Sequence, residues 1–403
     1  MNPTKKLAQF VAEQRLEEIP REVTDQAKLS IIDTLGCEIG GFSLASEECA
    51  WILRLVKDQG GNNEATVFCD GFRTSAAFAA LANGTIAHTI DFDDTHMASV
   101  SHLGSSLVAT VFAVGERVKA SGPEMIAAFI LGFEAAARIG RSVLPSHYKF
   151  WHPTGTLGLF ASAVVAGRLL KFGPKKMEVV IGHAADQTAG LRYCVDKGDF
   201  SKSLHPGFAA MKGILVALIV ANGASGPEDI LEYPSGFCWA YCEEPDIERI
   251  VTDLGSRYEA MEDGIKAYPT ILCSHSPIQA TLDIVEKYGL KAADIEEICV
   301  QETELAKGQG CNSPESILAA RLSIPFCLGL AVCEKKVSLS QFTDEKIHDP
   351  DIKTVMDKVK IEGDPELNRK YPDTIAAFVD IKTKRGKIFK SSVIYPKGNP
   401  QTG

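Results

Sequence analysis

Twice in this chain a polar, histidine-bearing segment runs straight into a long helix-like stretch of small and aliphatic residues. FWHPTGTLGLFASAVVAGRLL covers 150–170 and KSLHPGFAAMKGILVALIVANG covers 202–223. Helices so rich in Ala, Gly and Ser and so poor in charge are stable only when packed closely against other helices. Side-by-side packing then collects the polar segments at helix N-termini, where the unpaired first-turn N–H groups favour anions. A third such segment, NGTIAHTIDFDDTHMASVSHLGSS at 83–106, leads into the apolar run Leu107–Val114. It holds Asp91, Asp93 and Asp94 with His88, His96 and His102. Ionisable groups this dense beside a buried helix are costly unless paired or used. Helix through Thr95 would put His88, Asp91 and Thr95 on one face, at i, i+3 and i+7. His102 then falls on a loop or at the next helix start. The plain alternative is a solvated, self-capping turn.

The chain has 403 residues, 45% hydrophobic and 23% charged, enough for two or three domains with a sizeable core. Its net charge of −10 and lack of a basic tract argue against a nucleic-acid partner. Eleven cysteines without zinc-ligand spacing point to free thiols in a reducing compartment. The N-terminal MNPTKKLAQFVAEQ lacks a signal-peptide core, and apolar stretches such as Gly213–Val220 are too short to cross a bilayer. A cytoplasmic protein with no membrane partner is expected.

A first short helix is expected over Lys5–Leu16. A second opens at Pro20 and steps through Val23, Ala27, Ile31, Leu35 and Ile39 until Gly40-Gly41 stops it. A third begins with Ser46 as N-cap. Near residue 265 the pattern changes. Strands are expected at Ile295–Thr303 and Val359–Glu362, with a hairpin over Ala376–Tyr395 turning at Lys384-Arg385-Gly386. Helices near Ser316–Glu334 and Asp351–Lys358 lie between them. The fold class is mainly α: a large all-helical domain at 1–265 and a smaller α+β lid domain at 266–396, with a tail at 397–403.

Chemistry points to His152-Pro-Thr-Gly, to a polar loop carrying Arg192, Tyr193, Lys202 and His205, and to Lys266 with His275. A lone His or Lys is usually structural or solvating. The recurrence before apolar helices argues for one site with His102, His152, Lys202, Lys266 and His275 around Asp91 and Thr95. Such a cationic set suits a di- or tricarboxylate. Two rivals fare worse. Asp91-Phe-Asp93-Asp94 matches the DxDD string of helical terpene cyclases, but only 8% of the chain is aromatic. A metal hydrolase lacks any HExxH-like spacing.

Seven stretches in order give the chain a family resemblance: IPREVTDQAKLSIIDTLGCEIGG, AHTIDFDDTH, FWHPTGTLGLFASAVVAGRLL, KSLHPGFAAMKG, GPEDILE, KAYPTILCSHSPIQA, and RLSIPFCLGLAV leading to QFTDEKIHDPDI. The chain resembles the MmgE/PrpD family, which includes 2-methylcitrate dehydratase, cis-aconitate decarboxylase and iminodisuccinate epimerase. The resemblance implies a homodimer with a site in an interdomain cleft and with no metal or organic cofactor. It places catalytic roles on His102, Asp91, Thr95 and His152, and substrate binding on Lys202, Lys266 and His275. Two departures stand out. HMASVS lacks the common His-Pro pair, with Leu103 after His102, and the chain stops at YPKGNPQTG where relatives usually continue with helices.

These reactions share one demand, electron density building on a carbon next to a carboxylate. Cations aimed at that carboxylate lower the barrier, and an acid or base moves one proton. His102 is the expected acid/base, with Asp91 orienting a neighbouring imidazole and Thr95 donating a hydrogen bond. His152, Lys202, Lys266 and His275 would hold carboxylates. The favoured expectation is a lyase dehydrating a 2-methylcitrate-type hydroxy acid. Alternatives are a cis-aconitate-type decarboxylase, an iminodisuccinate-type epimerase, or an inactive truncated dimeric scaffold.

Overall fold

Helices dominate the first 264 residues, and among the described residues strands of more than two residues occur only after residue 294. The computed structural model describes residues 2–307 and 313–402. The last residue of the expected tail, Gly403, lies outside the described residues. Contacts divide the chain into two units interleaved along the sequence. Unit one holds residues 1–89, 93–192 and 203–264, and unit two holds 90–92, 193–202 and 265–403.

Unit one is built from α1 (Pro3–Glu13), α2 (Arg21–Leu44), α3 (Ser46–Gln59), α4 (Ala76–Ala87), α5 (Gly104–Val118), α6 (Gly122–Val143), α7 (Pro153–Leu169) and α8 (Pro174–Asp186). A short helix α9 (Tyr193–Lys197) precedes α10 (Ser201–Ala221). The α4, α5, α6 and α7 helices pack on one another, with α1 against α8 and α2 against α4. Ala, Val, Leu and Phe side chains such as Leu107, Phe129, Phe133 and Phe160 fill the core between them. Two-stranded pieces, β1 (Ala65–Thr66) with β2 (Arg73–Thr74) and β3 (Thr95–His96) with β4 (Asp263–Gly264), are antiparallel.

Several local expectations are corrected. Gly40-Gly41 does not stop α2, which runs on to Leu44. A Cβ on Gly41 would collide with the Ile86 carbonyl of α4, so this glycine permits a close helix approach. Ser46 is the first residue of α3 and Ala45 the N-cap, with no side-chain cap bond. The α4 helix ends at Ala87 and does not continue through Thr95. Asp91 has φ of 49°, a left-handed conformation that no helix accommodates. Lys202 and His205 lie in the first turns of α10, not in a loop. By length and hydropathy alone, the 21-residue α10 could cross a membrane, unlike the shorter stretch expected, but half of its most apolar window is buried inside the protein.

Unit two centres on a four-stranded sheet of β5 (Ile295–Glu302), β6 (Val359–Gly363), β7 (Ala377–Thr383) and β8 (Ile388–Val393), in the order β6-β5-β7-β8. The β5–β6 pair is parallel and the other two pairs antiparallel. Alternation in β7 buries Ala377, Val379 and Ile381 on one face. Helix His275–Tyr288 packs on β7 and β8 and on helix Ile324–Cys333. The expected helix near Ser316–Glu334 is broken at Leu322-Ser323, where Ser323 caps the second piece. The hairpin turns as expected, with Gly386 at φ 78°. The whole is a predominantly α-helical protein with a smaller α+β part.

Candidate active site

The three aspartates of the DFDD string do three different things. Asp93 Oδ2 lies 2.7 Å from Nδ1 of His88 and accepts from Ser105 Oγ at 2.6 Å. His88 and Asp93 are both fully buried. An acceptor-only carboxylate on Nδ1 keeps a proton on that nitrogen and fixes the ring's orientation. Asp94 caps α5 instead: both its carboxylate oxygens accept from Gly104 N at 2.9 Å. A Cβ on Gly104 would strike Asp94 and Thr34, so only glycine lets the carboxylate approach this closely. Burial raises the Asp94 carboxyl well above its ordinary range, and Asp263 and Asp93 add to that effect. Asp263 hydrogen-bonds to Asp94 and accepts from Ser30 at 2.7 Å.

Asp91 belongs to unit two, within the three-residue segment 90–92. Its Oδ1 accepts from Lys266 Nζ at 2.7 Å and from Lys202 Nζ at 3.2 Å. Lys266 also donates to the Asp91 main-chain oxygen at 3.0 Å. The Arg321 guanidinium donates to the Ile90 carbonyl and stacks over Phe342. All three cations are at most 5% exposed. Asp91 therefore pairs with lysines, and its charge also acts on the neighbouring imidazole of His275, while Asp93 is the carboxylate hydrogen-bonded to His88. Lys266 thus holds Asp91, in its left-handed conformation, by both its carboxylate and its main-chain oxygen.

His275, expected as a carboxylate clamp, opens the helix His275–Tyr288 in unit two. Burial, and then the charge of Lys266, push its pKa down to about 3. It is therefore neutral at physiological pH, and its Nε2 has no hydrogen-bond partner among the described residues.

In unit one, His102 sits two residues before α5. Its backbone N–H donates to Thr154 Oγ1 in the first turn of α7 at 3.1 Å. Its Nδ1 is 2.7 Å from the Asp94 main-chain oxygen and 3.1 Å from Thr95 Oγ1. His152 is the N-cap residue of α7, with Pro153 in the first turn. The rings of His88, His102 and His152 cluster, with centroids 5.0, 6.0 and 6.4 Å apart. The turn before His102 is closed by His96 N–H donating to Ser101 O at 3.0 Å. A chain of contacts from Glu259 through His96 Nε2, then His96 Nδ1 to Ser99 and Ser101, braces it from inside.

Thus the structure gathers Asp91, Lys202 and Lys266 in unit two, and Thr95, His102 and His152 in unit one. His88 and Asp93 were in view in the sequence but carried no assigned role. Their i, i+5 spacing spans a turn, and no helical or strand periodicity marks it. The His205 partnership with His152 described below also had no sequence signal beyond the shared small-residue context.

The imidazole cluster of unit one is suited to proton transfer, and the paired ammonium groups of unit two are suited to holding an anion. Comparison with known proteins agrees. Residues 5–250 match the MmgE/PrpD N-terminal domain and residues 268–403 the MmgE/PrpD C-terminal domain. The chain belongs to the MmgE/PrpD family of carboxylic-acid enzymes. It is similar to a cis-aconitate decarboxylase of Aspergillus terreus, 26% identical over 98% of this chain and 85% of that protein. Cis-aconitate decarboxylases of Mus musculus and Homo sapiens are each 24% identical to it, over 90% and 85% of this chain and 76% and 73% of their own lengths.

Proposed function

We propose that the protein is a lyase that removes a carboxyl group from an unsaturated tricarboxylate of the cis-aconitate kind. The observation that carries this reading is the convergence of Lys202 and Lys266 on one carboxylate oxygen of Asp91. Two buried ammonium groups held this way form a fixed cationic cradle for substrate carboxylates. Both decarboxylation and dehydration could use it. The similarity to cis-aconitate decarboxylases supports decarboxylation over the dehydration expected from the sequence alone.

In this reading the bond to one carboxyl carbon breaks and carbon dioxide leaves. The electron pair stays on the adjacent carbon and delocalises through the double bond toward a neighbouring carboxylate. Lys202 and Lys266 stabilise that charge as it develops. His102 in its imidazolium form gives its Nε2 proton to carbon, and the neutral ring recovers a proton from water. Asp91 holds the lysines in place, His152 assists proton traffic and Thr95 orients His102. Neutral His275 accepts a hydrogen bond at Nε2 or takes up a proton when an anion arrives. No metal or organic cofactor is needed for these steps, and turnover is expected to persist in chelator.

The same reading takes the protein as a cytoplasmic homodimer. Exposed Leu29, Ile32 and Ile39 along α2 support self-association.

Proton NMR of the enzyme with cis-aconitate, citrate, 2-methylcitrate and iminodisuccinate tests the proposal. Loss of a carboxyl group from cis-aconitate, with one solvent deuteron entering at carbon in D2O, is the expected result. Water loss from a hydroxy acid without carbon dioxide would replace it with a dehydratase, and inversion alone with an epimerase. No turnover and no thermal stabilisation by any of the four would favour an inactive scaffold.

A further inference from the structure

His152 at the start of α7 and His205 in the first turns of α10 face each other through like atoms. Their Nδ1 nitrogens are 2.8 Å apart and their ring centroids 5.0 Å apart. At that distance one nitrogen must carry a proton and the other a lone pair. Two imidazolium rings would oppose two N–H groups, and two bare nitrogens would oppose two lone pairs. The pair therefore holds a single Nδ1 proton between its rings, and at most one ring is cationic at a time.

The backbone keeps the rings in place. A Cβ on Gly155 would crowd His205 at 3.3 Å, and one on Gly190, at φ 127°, would lie in van der Waals contact range of the same ring. His152 N–H donates to Gly190 O at 2.9 Å. The other ionisable groups of unit one that face the pair are His88, 6.0 Å from His152 between centroids with Asp93 on its Nδ1, and His102 at 6.4 Å. His152 is buried and His205 half-buried, so the pair runs from the imidazole cluster toward solvent.

We propose that His205 is the positioning residue of His152 and its proton partner. At rest His205 carries the shared proton, so His152 keeps its own proton on Nε2. When Nε2 of His205 takes a proton from water, its Nδ1 proton passes to Nδ1 of His152. His152 can then release its Nε2 proton. The reverse transfer, with a proton entering at His152 Nε2 and one leaving from His205 Nε2, restores the starting state. This inference rests on the reading of His152 as a site residue.

Two substitutions and one measurement on the intact enzyme test it. In His205→Asn an amide atom occupies the Nδ1 position and keeps a hydrogen bond but relays no proton, whereas His205→Ala removes both. Both variants should lose about tenfold or more in kcat, less than the roughly 10²- to 10⁴-fold loss of a general acid or base itself, with KM within about twofold. A His205→Asn enzyme with wild-type kcat would reduce His205 to a packing role and overturn the proposal. In the wild-type protein, ¹⁵N NMR of labelled histidine should show one protonated and one bare Nδ1 for this pair. Both protonated or both bare would overturn it, whether or not any variant folds. The NMR result does not depend on turnover. A shared proton in an enzyme that turns over no polycarboxylate would sink the functional reading and leave the pair standing.

Discussion

His102 donates its Nδ1 hydrogen to the main-chain oxygen of Asp94, 2.7 Å away. A carbonyl oxygen can only accept, so this contact fixes the proton on Nδ1 and leaves Nε2 as the working nitrogen. Thr95 Oγ1, 3.1 Å from the same Nδ1, then meets a donor and acts as a second acceptor. Its own hydroxyl hydrogen is then directed away from this ring.

The His102→Gln enzyme is accordingly expected to fold normally and to lose about 10²- to 10⁴-fold in turnover, the scale of a removed general acid. Steady-state rates with the substrate identified by NMR measure it. Near wild-type turnover would move the proton transfer to another imidazole.

Lys266→Met should weaken substrate binding and also destabilise the fold. Removing one partner of a buried ion pair leaves the other charge uncompensated, at a cost of about 3–5 kcal/mol. Lys202 shares Asp91 Oδ1 and softens that loss. Chemical denaturation of Lys266→Met and of the double variant Asp91→Asn/Lys266→Met tests the coupling, and the double variant should recover part of the deficit.

Stability should fall as pH rises from about 4 toward neutrality. Burial pushes the Asp263 carboxyl up to about 7; hydrogen bonds from Ser30 and Asp94 oppose the rise and the charges of Asp33 and Asp93 add to it. Burial likewise raises Glu134 to about 7. Between the ordinary carboxylate range and about pH 7 the native state therefore holds more protons than the unfolded chain, and the slope of stability against pH is negative. Glu259 has the opposite sign: its burial is outweighed by His96, whose Nε2 lies 3.3 Å from Oε2, and by the charges of Arg141 and Arg257, which hold its carboxyl at about 2. Its contribution is lost only as pH drops through the range below about 4.5. Melting temperatures of wild type and Asp263→Asn across pH 4 to 8 check this. The variant should show the flatter curve, and identical slopes would contradict the assignment.

Gly41→Ala should cost about 1–3 kcal/mol, because the added methyl meets the Ile86 carbonyl and one helix must shift. Gly36→Ala, in the same helix with open space around it, should be neutral or slightly stabilising. Equal effects at both positions would show that helix propensity, and not the close approach, governs α2.

The large divisions were legible in the sequence. Small-residue helices, the shift to alternating strands after residue 294 and the Gly386 hairpin all follow from periodicity and turn chemistry. What escaped were places where tertiary contact overrides local preference. Gly40-Gly41 looks like a stop signal, but it serves packing against α4. Residues 88–94 carry helix-compatible spacing, yet Asp91 is held in a left-handed turn by Lys266 on its main-chain oxygen, with the neighbouring Ile90 carbonyl tied to Arg321. The set Asp91, Lys202, Lys266 could be named from the family motifs. Which carboxylate pairs with which base depends on long-range contacts that no spacing rule encodes.

The left-handed turn at Asp91 also narrows how this position can change over generations or in a directed library. Apart from glycine, asparagine is the replacement whose main chain tolerates that conformation best, and it discards the negative charge while keeping the shape. Glutamate, the nearest acid, must bear the conformational penalty and reach one methylene further. A lineage abandoning this chemistry therefore has an easy exit through a single amide, whereas one retaining an acid there has little room to experiment.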